Sequence, residues 1–134
     1  MIDIENRIIA AVYERLSAKW PGIRLHSEEM RYPAEFPCAE LYEMDNYVLE
    51  SARDSGGLEN YAQVTFQAAA YSNLSSGRKK QCREIFGEID AEMARQGFIR
   101  TSAQPISMAD ATVYRLVGRY TAIADRDGLI YGRA

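Results

Sequence analysis

A single histidine, His26, supplies all the imidazole in this 134-residue chain. A serine–histidine triad would hang on that one residue, and a histidine-rich metal site cannot be assembled. Cysteine is almost as scarce. Cys38 and Cys82 lack the short spacing of redox and zinc motifs, and both are expected to be buried thiols. There is no Gly-x-Ser-x-Gly elbow, no internal repeat and no low-complexity tract. Positive charge is not in excess: 16 basic against 19 acidic side chains give a net charge of -3, unlike the strongly basic balance of a dedicated nucleic-acid binder. No apolar run approaches the length of a membrane span, and Met1 to Trp20 carries charges throughout, unlike a signal peptide. The expectation is therefore a cytoplasmic location, with no membrane partner and no cofactor.

What remains is ordinary globular composition, 47% hydrophobic and 26% charged, in a length that suits one domain spanning residues 1–134. Its pattern is more informative. From Tyr61, Ala62, Val64, Phe66, Ala68 and Ala70 alternate with Gln63, Thr65 and Gln67, the period-two signature of a strand with one apolar face. Cys82, Ile85, Phe86, Ile89 and Met93 then recur at helical spacing, a stripe able to cover that face. Alternation returns at Thr112 to Ala124, with Tyr114, Leu116, Gly118, Tyr120 and Ala122 on one side and Arg115, Val117, Arg119 and Thr121 on the other.

Earlier in the chain, Ile4, Ile8, Val12 and Leu16 predict a helix that Pro21 and Gly22 stop. Ile23 to Ser27 suits a short strand, and Glu28 to Pro37 an exposed loop. Cys38 to Asp45 suits a strand whose Glu40 and Glu43 point to an edge position. Asn46 to Asn60, with Asp54-Ser55-Gly56-Gly57, reads as a projecting arm or long hairpin tip. Ser75 or Ser76 is expected to cap the second helix, which Gly97 should end in a left-handed conformation. Phe98 to Ser102 is a further strand, and after the Asp127-Gly128 turn Leu129 to Tyr131 pairs back. The fold class is α+β: a mostly antiparallel sheet, an N-terminal helix and a second long helix packed on one face.

The second helix has an unusual charge order. Arg78, Lys79, Lys80 and Arg83 open it, while Glu84, Glu88, Asp90 and Glu92 lie toward its end, the reverse of what the helix dipole favours. Each misplaced exposed charge costs a few tenths of a kcal/mol, up to about 1. One reading is a solvated face with pairs such as Lys80 with Glu84 one turn apart; the other is that the basic cluster meets an acidic neighbour. The chain contains such a segment. Residues 24–59 hold nine acids and three bases, a net of -6, whereas residues 98–134 hold five bases and three acids, a net of +2. Head-to-tail contacts between copies would use that asymmetry. Arg115 and Arg119 likewise read either as a solvated row behind the tyrosines or as an interface. The stretch from Ser72 to Lys80 lacks the spacing of a phosphate-binding loop, and serine and glycine before a helix serve far more often as a cap.

Several of these patterns together, Tyr61 to Ser72, Ser76-Gly77-Arg78 opening a helix, Gly97 to Arg100, Val113 to Arg115 through Arg119 to Ala122, and Asp127 to Tyr131, carry a family likeness. The chain after Phe36 resembles the tail-terminator, minor-capsid and head–tail neck proteins of long-tailed bacteriophages and prophages. The resemblance rests on the order of elements and on short patterns. It implies a structural virion protein, not an enzyme, that forms a homo-oligomeric ring, typically a hexamer, capping the tail tube and joining it to the head. Its partners would be further copies of itself, tail-tube protein and head–tail connector protein, with at most transient DNA contact in the lumen. Assembly would take place in the bacterial host cytoplasm. Arg78, Lys79, Lys80, Arg83, Arg115 and Arg119 are then the candidates for the subunit interface or lumen. The alternatives are another neck component, or a small ligand-binding or enzymatic domain using the groove beside Tyr71, Ser72 and the helix start.

Overall fold

In a computed structural model, which describes residues 1–49 and 60–132, the chain forms two helices and one six-stranded sheet. The elements follow in the order α1 (Glu5–Lys19), β1 (Arg24–His26), β2 (Cys38–Val48), β3 (Tyr61–Ser72), α2 (Arg78–Arg95), β4 (Ile99–Pro105), β5 (Tyr114–Asp125) and β6 (Ile130–Tyr131). The strand order is β1-β2-β3-β5-β4, with β6 also pairing β5. Every pair is antiparallel except β1 with β2. This is the expected α+β class, and no helix among the described residues is long and apolar enough to cross a membrane.

The alternation in β3 sets up the core. Ala62, Val64, Phe66, Ala68 and Ala70 are fully buried, and the register with β5 places Leu116, Tyr120 and Ala122 beside them. On this face lies the α2 stripe of Cys82, Ile85, Phe86, Ile89 and Met93, joined by Ile8, Val12 and Leu16 of α1. Burying the five α2 side chains contributes on the order of 10 kcal/mol before the entropy of ordering them is set against it. Phe66 and Phe98 meet edge to face at 5.3 Å between centroids. Gly118 makes the helix–sheet approach possible: a Cβ there would fall inside contact distance of Phe86 Cζ and 3.1 Å from the Ser102 carbonyl oxygen.

Three local expectations are corrected. β2 is not an edge strand at its start, since β1 flanks it there in the register Arg24 to Cys38 through His26 to Glu40. Its acids have internal roles instead: Glu40 is fully buried in an ion pair, and the Glu43 carboxylate accepts from the Asn46 side chain. β2 also runs on to Val48, because a bulge at Met44 restores pairing with β3 from Asp45 onward. The expected arm therefore begins later than Asn46, and the rest of it, residues 50–59, lies outside the described residues. Finally, neither Ser75 nor Ser76 caps α2. Gly77, at φ 83°, takes the N-cap position without a side-chain hydrogen bond. The C-terminal end is as expected: Gly97 has φ 101°, and the Phe98 N–H donates to the Met93 carbonyl.

Candidate interaction surfaces

Both helices lie on one face of the sheet, so side chains of opposite parity stand on a face that neither α1 nor α2 covers. At the end where β2 begins, residues 28–37 and 106–113 fold over it. Met30, Phe36, Ile106, Met108 and Val113 pack there on Cys38, Ala69, Tyr71 and Val117. Beneath this cover is a buried ion pair: Arg115 donates to Glu40 Oε1 at 3.2 Å, and Glu40 Oε2 accepts the Met30 backbone N–H at 3.0 Å. The Arg115 guanidinium lies 5.3 Å from the centre of the Tyr71 ring. Burial, with the Glu40 charge second, pushes the Tyr71 hydroxyl above its ordinary range. Burial likewise pushes the Cys38 and Cys82 thiols up to about 12 each. Both cysteines are buried and free, as expected.

Beyond the covered end the face is polar, with Gln67 buried in its floor, Tyr42 half-buried and Arg119 exposed. Tyr42, Gln67 and Arg119 lie on one cross-strand row, with Ser102 of β4 paired to Arg119 on the far side. The Gln67 amide donates to the Tyr42 hydroxyl at 2.9 Å, and Arg119 Nε donates to Gln67 Oε1 at 3.3 Å. Further along, the Tyr47 hydroxyl donates to Gln63 Oε1 at 2.8 Å, and the Gln63 amide donates to Thr121 Oγ1 at 3.3 Å. The first of these rows lines a groove of about 510 Å³, with Glu29 on the β2 side and Arg119 toward β4. Burial first, then the Glu29 and Glu40 charges, raises the Tyr42 hydroxyl above its ordinary value.

Four large apolar or amphipathic side chains also emerge on this face. Met44, Tyr47, Tyr61 and Tyr131 are each between 39% and 46% exposed, and their register partners or groove position put them all on the helix-free side. Tyr61 and Tyr131 pack edge to face at 6.3 Å. Tyrosine, methionine and arginine are the residue types enriched where proteins meet proteins, because they provide wide contact area with a polar handle.

The six candidate residues thus separate into two groups. Arg78, Lys79, Lys80 and Arg83 stand at the start of α2 on the helix layer, and none of them forms an ion pair among the described residues. Arg78 donates to the Leu74 carbonyl at 3.2 Å and, with the Thr112 hydrogen bonds as the larger cause, helps hold the Asp110 carboxyl low. Arg115 and Arg119 share the opposite face but not an environment: Arg119 is exposed, while Arg115 is locked on Glu40. The picture of a solvated arginine row therefore holds for Arg119 alone. Tyr42, Met44, Tyr47, Tyr61 and Tyr131 do not stand out in the sequence. Their common side follows from a strand register that single-strand alternation does not contain.

Three of the four acids of α2 are paired within the fold, while Glu84 is exposed and forms no ion pair among the described residues, with Lys80 or otherwise. Arg15 and Lys19 of α1 meet Glu88 at 3.5 and 3.0 Å, Arg15 also meets Glu92 at 3.5 Å, and Arg95 pairs with Glu92 at 2.6 Å. Asp90 accepts from the Tyr120 hydroxyl at 2.8 Å and from Arg100 at 3.1 Å. No group of three or more His, Cys, Asp or Glu side chains is placed to hold a metal ion among the described residues. No model of a known protein family matches the chain, and no curated protein matches it either.

Proposed function

We propose that this protein is a structural component of a long-tailed phage or prophage particle, a ring-forming tail terminator that closes the tail tube and joins it to the head. The observation that carries this reading is the helix-free sheet face, where Met44, Tyr47, Tyr61, Tyr131 and Arg119 offer a partner the chemistry of a protein interface. A second feature supports it. Of the described residues, 24–49, with six acids and two bases, build the β1–β2 side of the sheet, and 98–132, with four bases and three acids, build the β5–β4 side, so part of the charge asymmetry of the sequence becomes an asymmetry in space. A subunit with unlike sides suits head-to-tail association, which closes into rings. The sequence resemblance to tail-terminator and neck proteins points the same way.

Electron microscopy of the purified protein, alone and mixed with isolated tail tubes, tests this. Rings seated on one end of the tubes, with tube length then fixed, are the expected result. Tubes that stay uncapped and continue to polymerise, or a substrate turned over at a centre mapped to polar side chains of this chain, would overturn it.

A further inference from the structure

Gln67 is buried in the floor of the groove on the helix-free face, and both ends of its amide are engaged. Its Nε2 donates to the Tyr42 hydroxyl at 2.9 Å, and its Oε1 accepts from Arg119 Nε at 3.3 Å. Because an arginine only donates, the amide oxygen must face Arg119 and the nitrogen Tyr42. The Tyr42 oxygen thus accepts on its inner side, and its O–H is left over. Burial, and after it the Glu29 charge, raises that hydroxyl above its ordinary value, so it remains a donor at neutral pH. Both Nη atoms of Arg119 are left over as well: Nε alone is bonded, and the side chain forms no ion pair among the described residues. One buried amide therefore fixes a tyrosine and an arginine on either side of itself, each with donors to spare.

We propose that Tyr42 and Arg119, oriented by Gln67, form a receptor for one aspartate or glutamate side chain of a protein partner. The two Nη groups take the two carboxylate oxygens end-on, and the Tyr42 O–H adds a third bond. A protein supplies the acid, because the groove, about 510 Å³, has exposed walls at Met44, Ser102 and Gln104. Sites for free small molecules enclose most of their ligand, whereas a small acid here would stay largely in water. A carboxylate carried on a protein surface gains the surrounding contacts too. Glu29, exposed on the β2 side of the groove, sets a preference: it disfavours a second negative charge, so the acid's neighbour in the partner is neutral or basic. The receptor rests on the helix-free face being a protein interface and does not require the ring.

The test is heteronuclear NMR of the full chain titrated with glutamate blocked as amides at both backbone ends, with blocked glutamine and sodium chloride at matched ionic strength as controls. Circular dichroism checks the folding of each variant. In wild type the Gln67 side-chain amide should shift and saturate with a Kd on the order of 1–10 mM, as suits a single charged group, and neither control should reproduce the shift. Arg119→Lys keeps the charge but loses the planar fork, and should weaken binding at least about tenfold. Tyr42→Phe should weaken it about threefold, and Glu29→Gln should tighten it about twofold by removing a like charge. A shift that does not saturate, that chloride reproduces, or that Arg119→Lys leaves unchanged would overturn the receptor. Tail tubes capped by a protein that ignores blocked glutamate would remove the receptor and leave the tail-terminator reading in place. A saturable response with tubes left uncapped would do the reverse.

Discussion

Gly118→Ala and Gly87→Ala change stability in opposite directions although both add one methyl to a glycine of ordinary backbone conformation. At Gly118 the new Cβ would lie inside contact distance of Phe86 Cζ, 3.0 Å from Phe86 Cε2 and 3.1 Å from the Ser102 carbonyl oxygen. Phe86 is 5% exposed and packs near Tyr120, with ring centroids 6.4 Å apart, while Ser102 is held by the β4–β5 ladder. Neither neighbour can withdraw without disturbing the α2–sheet contact. Overpacking of this kind costs about 1–3 kcal/mol, and the lower entropy of the unfolded alanine chain returns about 0.4–1. The net expectation is a loss of roughly 1–2 kcal/mol, seen as a fall in Tm of about 5 °C. Gly87 lies on the exposed side of α2, and a methyl added there would have nothing within 4 Å. Alanine at this position should add about 0.5–1 kcal/mol by helix propensity alone. Urea unfolding of the two variants beside wild type measures both. A Gly118→Ala protein as stable as wild type would refute the claim that this glycine sets the helix–sheet distance.

Glu40→Gln should destabilise by about 3 kcal/mol, because it removes the charge that balances a largely buried Arg115, and it should speed protease cleavage between residues 28 and 37, which Glu40 ties down through the Met30 N–H. Cys38 and Cys82 should resist a thiol reagent at pH 8 in the native protein and react fully in denaturant. These thiols have folded pKa values raised to about 12 from an ordinary 9.0, so the stability they contribute is complete below pH 9 and is lost between pH 9 and about 12; alkaline titration of Tm should show the decline. Glu88 and Glu92 are held low, first by hydrogen bonds from Lys19 and Arg95 respectively, so their contribution is present above the ordinary carboxylate range and lost as pH falls through it. Arg15→Ala should accordingly lower stability by about 0.5–1 kcal/mol at pH 7 and by less at pH 3, as read by urea unfolding at the two pH values.

Much of the fold was legible because hydrophobic period is a strong and local signal. The face of β3, the stripe of α2 and the division of β5 into tyrosine and arginine sides were all readable from spacing. The misreadings share a physical cause, which is long-range partnership. Glu40 marks an edge only if its partner is water, and its partner is Arg115, 75 positions away. The extension of β2 past Asp45 depends on a bulge that absorbs one residue against β3. Ser75 and Ser76 are good caps by type, but the left-handed Gly77 takes the position instead. The candidate surface was legible only as Arg115 and Arg119, and the cover of residues 28–37 and 106–113 then buried one of them on Glu40. Its tyrosines come from β2, β3 and β6, and no local pattern joins them.

The charge order of α2 shows how the fold sorts the candidates that sequence placed together. The acidic half of the helix faces the macrodipole unfavourably, yet Glu88, Asp90 and Glu92 each find a cation from α1, β4 or the same helix, so the unfavourable placement is answered inside the subunit. The basic half receives no such answer: Lys79, Lys80 and Arg83 are exposed at a helix start where positive charge is least favoured, near an N-cap that provides no side-chain acceptor. Their removal should therefore leave stability unchanged or raise it slightly, by a few tenths of a kcal/mol per charge. Arg119 differs, for its Nε is held by Gln67 while the rest of its guanidinium remains open. A side chain positioned by the fold but left with free donors is suited to a defined contact. An unpaired cluster at a helix start fits only diffuse attraction, which salt screens. The two basic groups should consequently separate by salt: contacts made through Lys79, Lys80 and Arg83 should fade between 50 and 500 mM, on the order of a tenfold change in ionic strength, while the Arg119 contact persists.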